Sequence, residues 1–235
     1  MVKENLKEVE ARIAAACVRA GRKREDVTLI AVSKTKPVSM IEEAIEAGLT
    51  EFGENKPQEL RDKQLVLTQP LHWHMIGSLQ SNKVKYVVGK TELIHSVDSY
   101  ALAEAIEKEA AKKNVCCRIL IEVNVAGEAT KHGVAPSDTE ALIRNIAKFP
   151  HICICGLMTV APYTEFPEEN RQFFRNLYEL YIDIKSKNID NVTMCELSMG
   201  MTGDYEVAIE EGATLVRIGT GLFGQRDYNK GDNIT

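Results

Sequence analysis

Lys34 is the first residue whose position raises a chemical question. It ends the apolar or small run 29–33 and opens the basic pair of AVSKTKP, residues 31–37. An ammonium at the tip of a buried strand is costly unless paired or neutralised, and a lysine so placed can act through its amine on a carbonyl. Two later stretches carry anion-binding chemistry. ELSMGMTGDYE (196–206) presents Ser198, glycines and Thr202 ahead of a helix, and VRIGTGLFGQRD (216–227) presents Gly219, Thr220 and Gly221 ahead of a short one. Small residues let backbone N–H groups approach an anion, and the helix start adds a favourable field. The competing reading is that these glycines only make turns. A lysine opposite a phosphate cradle points to a phosphorylated aldehyde held as a Schiff base.

The elements that must position these groups alternate in period. Strand-like runs occupy 27–34, 50–55, 72–77, 93–98, 118–125, 152–160, 193–199 and 214–220. Between them SMIEEAIEAG, SYALAEAIEKEAAKKN, DTEALIRNIAKF, EENRQFFRNLYELYIDIKSK and DYEVAIEEG have helical spacing, with polar N-caps and Gly or Asn stops. Strand–helix alternation implies parallel strands joined by right-handed crossovers. Eight such units predict a closed (β/α)8 barrel with one extra helix before the first strand. A doubly wound open sheet is the rival, but no G-x-G-x-x-G follows the first strand. One domain is expected over 1–228, with an unordered polar tail over 229–235.

Within a barrel, strand parity puts Ile30, Val32 and Lys34 on one face. If that face is the interior, Lys34 stands at the C-terminal mouth, where barrel enzymes place their chemistry. Inward candidates on other strand ends are Asn55, His74, Asn124, Met158, Ser198 and Arg217. His72 and His74 share a face, but two imidazoles with no carboxylate or cysteine at ligand spacing make an incomplete metal site. They are read as polar lining of the mouth, with Trp73 outward, and no metal is expected.

Composition narrows the class. The chain has 235 residues, 44% hydrophobic and 27% charged, with net charge −5. It has no basic block for phosphate-backbone binding, no apolar run near the ~20 residues of a membrane span, and no signal-peptide core. A cytoplasmic protein is expected. The six cysteines lack C-x-x-C spacing and are read as small buried hydrophobes.

AVSKTKP, FGEN, HMIGSLQSNK, VNVAGEATKHG, GLMT, LSMGMTGDYEVAI and VRIGTGLFGQRDY, in that order and spacing, resemble the pyridoxal 5′-phosphate homeostasis proteins of the YggS or PROSC family. The match runs over nearly the whole chain. The resemblance implies a barrel like the N-terminal domain of alanine racemase. It also implies a pyridoxal 5′-phosphate (PLP) aldimine on Lys34, with Asn55 and Met158 lining the ring pocket. Ser198, Gly219 and Thr220 would hold the phosphate, partly through backbone N–H groups, and Arg217 would face the pyridine nitrogen. A guanidinium accepts no proton, so it would keep that nitrogen unprotonated and weaken the ring as an electron sink. Lys36 is read as a solvated loop lysine, while Lys131 is left open between that and a secondary acceptor. The family departs from this chain at Met75, Lys56 and Pro57; parity puts Met75 and Lys56 off the cofactor face.

Three functions compete. The expected one is a monomeric carrier that buffers or delivers PLP, transiently meeting apo PLP-dependent enzymes, with no catalytic residues of its own and at most weak side activity. The others are an amino-acid racemase and a Schiff-base aldolase acting on a phosphorylated aldehyde. The chain ends directly after the barrel, leaving no residues for the second domain that supplies alanine racemases with an opposite-face tyrosine. That favours the carrier.

Overall fold

Each strand-like run becomes a strand, in order around one closed barrel. The structure, a computed structural model, describes residues 1–128 and 132–225. Among them β1 (Thr28–Val32), β2 (Glu51–Glu54), β3 (His72–Met75), β4 (Leu93–Val97), β5 (Cys117–Glu122), β6 (Ile152–Met158), β7 (Val192–Met201) and β8 (Leu215–Ile218) pair sequentially, and β8 closes on β1. Every pairing is parallel. This is the expected (β/α)8 barrel. Lys131 and the segment 226–235, with its expected tail, lie outside the described residues.

Helices α1 (Val2–Arg19), α2 (Val38–Glu46), α3 (Pro57–Val66), α4 (Tyr100–Lys113), α5 (Pro136–Ile146), α6 (Arg171–Ser186), α7 (Tyr205–Glu210) and α8 (Thr220–Phe223) surround it. Local chemistry sets their ends. Ser99 caps α4, accepting the Leu102 N–H at 3.4 Å, and Asn114 stops it in the left-handed region, as N-cap and C-cap preferences require. The extra helix α1 is tied to α7 and α8: Arg12 and Arg19 pair with Glu206, and Asn5 donates to the Leu222 carbonyl at 2.8 Å.

The core has two parts. Outward-facing strand residues such as Ala31, Phe52, Trp73, Met75 and Ile121 pack against the helices, while Ile30, Leu93, Leu120, Cys155, Met158 and Leu215 fill the barrel. Ile30 inside and Ala31 outside settle the parity of β1 as expected, and Trp73 and Met75 point outward.

Four details depart from the sequence reading. The first strand ends at Val32, so Lys34 stands on the turn beyond it; the Lys36 N–H closes that turn on the Ser33 carbonyl at 3.0 Å. Helix α3 has no apolar stripe because one of its buried positions is Lys63. The β3–β4 crossover uses a 3-10 turn, Ser81–Tyr86, in place of an α-helix. Cys17, Cys117 and Cys155 are buried, but Cys116 and Cys195 are exposed and Cys153 is half-buried.

Candidate functional site

The mouth is built from the C-terminal ends of β1, β2, β5, β6, β7 and β8. Register identifies its inward residues. Arg217 lies opposite Ile30, Ser198 opposite Met158 and Leu215, and Glu122 opposite Met158. Since Ile30, Met158 and Leu215 belong to the interior cluster, Arg217, Ser198 and Glu122 face the interior too.

Lys34 is held from behind. Ser33, which precedes it, donates its hydroxyl to Glu54 Oε1 at 2.6 Å, and its carbonyl accepts from Lys63 Nζ at 2.8 Å. Thr35, which follows it, sits at φ 62° and gives its N–H to Glu59 Oε1 at 2.6 Å. A β-branched residue with positive φ is strained unless its surroundings fix it; here Glu59 fixes it. Lys36 is not a solvated loop lysine. Its ammonium donates to the carbonyls of Phe223, Gly224 and Gln225 at 3.1, 2.9 and 3.2 Å, binding the β1 turn to the end of α8.

Asn55 follows β2 and is half-buried. Gly77 packs directly on it: a Cβ there would lie 2.6 Å from the Asn55 carbonyl oxygen and 2.7 Å from its Cα. Met158, at the end of β6, is 1% exposed. Asn124 turns back to its own loop, donating to the Glu128 carbonyl at 2.9 Å.

Arg217 is buried, and among the described residues no carboxylate hydrogen-bonds to it. It donates through one nitrogen to Ser198 Oγ and through another to the Thr159 carbonyl at 2.7 Å. Burial lowers its guanidinium to about 10, against the pull of Glu122 and Asp204. A guanidinium carries five N–H groups, and two of its nitrogens are engaged here. Ser198 is fully buried, and its hydroxyl is engaged by Arg217 and by His95 Nδ1 at 2.9 Å. Its side chain therefore serves the barrel interior.

The segment expected to hold an anion joins β7 to α8. The N–H groups of Gly219 and Gly221 converge on Thr202 Oγ1, each at 3.3 Å, the long end of the hydrogen-bond range. Thr220, the first residue of α8, is exposed beside them.

Sequence reasoning missed two features. Glu122 is 7% exposed at the end of β5; burial first, and Asp98 second, push its carboxyl up to about 7. A carboxylate closing an apolar strand was the signal available. His74 does not line the mouth. It lies in the interior between Glu51, at 2.8 Å, and His95, at 3.0 Å, while His72 is exposed at the other end of the barrel.

Known proteins share the sequence and the fold. The family model for the alanine racemase N-terminal domain matches residues 5–227. A pyridoxal phosphate homeostasis protein of Aquifex aeolicus is 49% identical over 226 residues, covering 96% of this chain and 98% of that protein. PipY of Synechococcus elongatus PCC7942, in its structure with PLP bound, is 34% identical with a TM-score of 0.82, covering 95% of this chain and 100% of PipY. Alanine racemase of Corynebacterium glutamicum, 14% identical, shares the fold at a TM-score of 0.68, covering 96% of this chain and 63% of the racemase.

Proposed function

Because the chain belongs to the alanine racemase N-terminal domain family, among the pyridoxal phosphate homeostasis proteins, we propose that it binds PLP and buffers or delivers it without consuming amino acids. The donor set fits the cofactor part by part. Lys34 supplies the primary amine, on a turn whose two flanks are pinned. The Gly219 and Gly221 N–H groups, sharing one long acceptor, suit a phosphate. Asn55 and Met158 border the ring. When bound, PLP supplies an aldehyde for amines and a ring that withdraws electrons.

The observation that carries the non-enzymatic part is Arg217. It is buried, anchored by Ser198 and Thr159, and able only to donate hydrogen bonds. Facing the pyridine nitrogen, it would leave that nitrogen unprotonated and the ring a poor electron sink. A racemase-like reading draws on Glu122, whose carboxyl, raised to about 7 at the mouth, has the pKa of a general base.

One experiment separates the two. Protein loaded with PLP is mixed with apo forms of unrelated PLP enzymes, and separately with D- and L-amino acids in deuterated solvent. Recovery of the enzymes' activity without α-proton exchange is expected. Turnover in the ordinary enzyme range, about 1–1,000 per second, would sink the carrier reading. Borohydride reduction followed by peptide mapping should place the pyridoxyl group on Lys34.

A further inference from the structure

Five polar side chains from five strands meet inside the barrel. Arg217 of β8 donates to Ser198 Oγ of β7; His95 Nδ1 of β4 lies 2.9 Å from that oxygen; His74 Nδ1 of β3 lies 3.0 Å from His95 Nε2; and Glu51 Oε2 of β2 lies 2.8 Å from His74 Nε2. The first four are at most 4% exposed. Only Glu51, on the first residue of β2, reaches the rim opposite the mouth, with its side chain 25% exposed. The rings of His74 and His95 meet edge to face at 76°.

The two ends and the single Ser198 hydroxyl hydrogen together favour one direction for the protons between them. A guanidinium only donates, and an ionised carboxylate only accepts. Ser198 accepts from Arg217, so its own hydrogen goes to His95 Nδ1. His95 is fully buried, and burial holds it well below the ordinary histidine range; it is neutral and carries its hydrogen on Nε2. That hydrogen goes to His74 Nδ1, and His74 Nε2–H goes to Glu51. The reverse arrangement needs either a protonated Glu51 or a doubly protonated His74, and either one leaves Ser198 accepting twice with its hydroxyl hydrogen unplaced. A buried polar group without a partner costs about 1–3 kcal/mol, so the reverse loses.

We propose that Glu51, His74 and His95 are positioning residues for the cofactor site: their one-directional hydrogen-bond chain turns the Ser198 hydroxyl inward and thereby sets the guanidinium of Arg217 that grips it. The chain also sets a negative charge at the barrel's far rim against the buried guanidinium. Its bearing on the cofactor rests on the PLP reading above, whereas the proton arrangement itself does not.

The test has two arms. Protein labelled with 15N-histidine, without cofactor, is examined by two-bond 1H–15N correlation at neutral pH. His74 and His95 should both appear as neutral Nε2–H tautomers; an Nδ1–H tautomer or an imidazolium at either would overturn the chain. In the second arm PLP affinity and the position of the visible absorbance band are measured for Glu51→Leu and Glu51→Gln. Glu51→Leu, which removes the terminal acceptor, should free the His74 tautomer, shift the band and weaken binding about tenfold. Glu51→Gln keeps an acceptor oxygen and should recover most of that loss. A folded Glu51→Leu protein with unaltered band and affinity refutes the positioning role. If the unaltered protein takes up no PLP, the carrier reading fails, and the tautomer spectra still decide the chain.

Discussion

Lys63, on α3, donates to the carbonyl of Ser33 at 2.8 Å, one residue before Lys34. The same ammonium meets Glu54 Oε1 and Glu59 Oε1, each at 2.7 Å. Glu54 also accepts from the Ser33 hydroxyl, and Glu59 from the Thr35 N–H. One buried cluster between β2 and α3 therefore grips both neighbours of Lys34. The backbone on either side of Lys34 is thus held by charges on the outer side of the sheet.

Glu54 is fully buried, and desolvation raises its carboxyl above the usual range against the pull of Lys63. Its second oxygen meets no partner among the described residues. Removing one member of such a pair leaves an uncompensated charge. Lys63→Met should cost about 3–5 kcal/mol in urea unfolding, and Glu54→Gln added to it should restore a large part. A single variant within 1 kcal/mol of the unaltered protein would show that the cluster contributes little.

Glu122 makes stability depend on pH. Its pKa rises from 4.5 unfolded to about 7 folded, so the fold favours the protonated acid. That contribution is complete below the unfolded value and is lost as pH rises through about 7. By linkage it amounts to roughly 3 kcal/mol. Between pH 5 and 8 the unaltered protein should lose stability relative to Glu122→Gln, which cannot titrate. Parallel pH profiles for the two proteins would contradict the buried, protonated carboxyl.

Much of this was legible in sequence. Eight strands and the major helices follow from period and caps, and strand alternation separates Ile30 from Ala31, which the barrel places inside and outside. The failures share a physical cause. Helix α3 hides because Lys63 occupies a core-facing position that periodicity reads as solvent. Sequence places His74 at the mouth because parity gives the face of a strand and not the depth along the barrel. Nor could spacing reveal the chain from Glu51 to Arg217, since its members come from five strands that meet only after closure. Lys36 looked like a loop lysine because its acceptors are backbone carbonyls nearly 190 residues away.

Gly77 tests the setting of Asn55. A methyl group at position 77 would fall 2.6 Å from the Asn55 carbonyl oxygen, a contact with backbone that no rotamer relieves. Gly77→Ala should cost about 1–3 kcal/mol as an overpacked site. It should also displace Asn55 and lower PLP affinity. Unchanged affinity in a folded Gly77→Ala protein would remove Asn55 from the ring pocket.

The cradle predicts a dependence on phosphate. The Gly219 and Gly221 N–H groups share Thr202 Oγ1 at 3.3 Å each, a weak arrangement that a phosphate oxygen would improve, because charge-assisted bonds are shorter and stronger. A ligand that binds only the folded state raises its stability by RT ln(1 + [L]/Kd), about 2.7 kcal/mol at a hundredfold excess over Kd. PLP should therefore raise the melting temperature steeply with concentration, and pyridoxal, lacking the phosphate, far less. Thr202→Val removes the shared acceptor and leaves both N–H groups without it. Without ligand this variant should be less stable by about 1 kcal/mol. Inorganic phosphate should then stabilise it more than it stabilises the unaltered protein, since the anion replaces a hydroxyl that is no longer there. Equal shifts with PLP and pyridoxal, together with no extra response of Thr202→Val to phosphate, would place the anion elsewhere on the barrel.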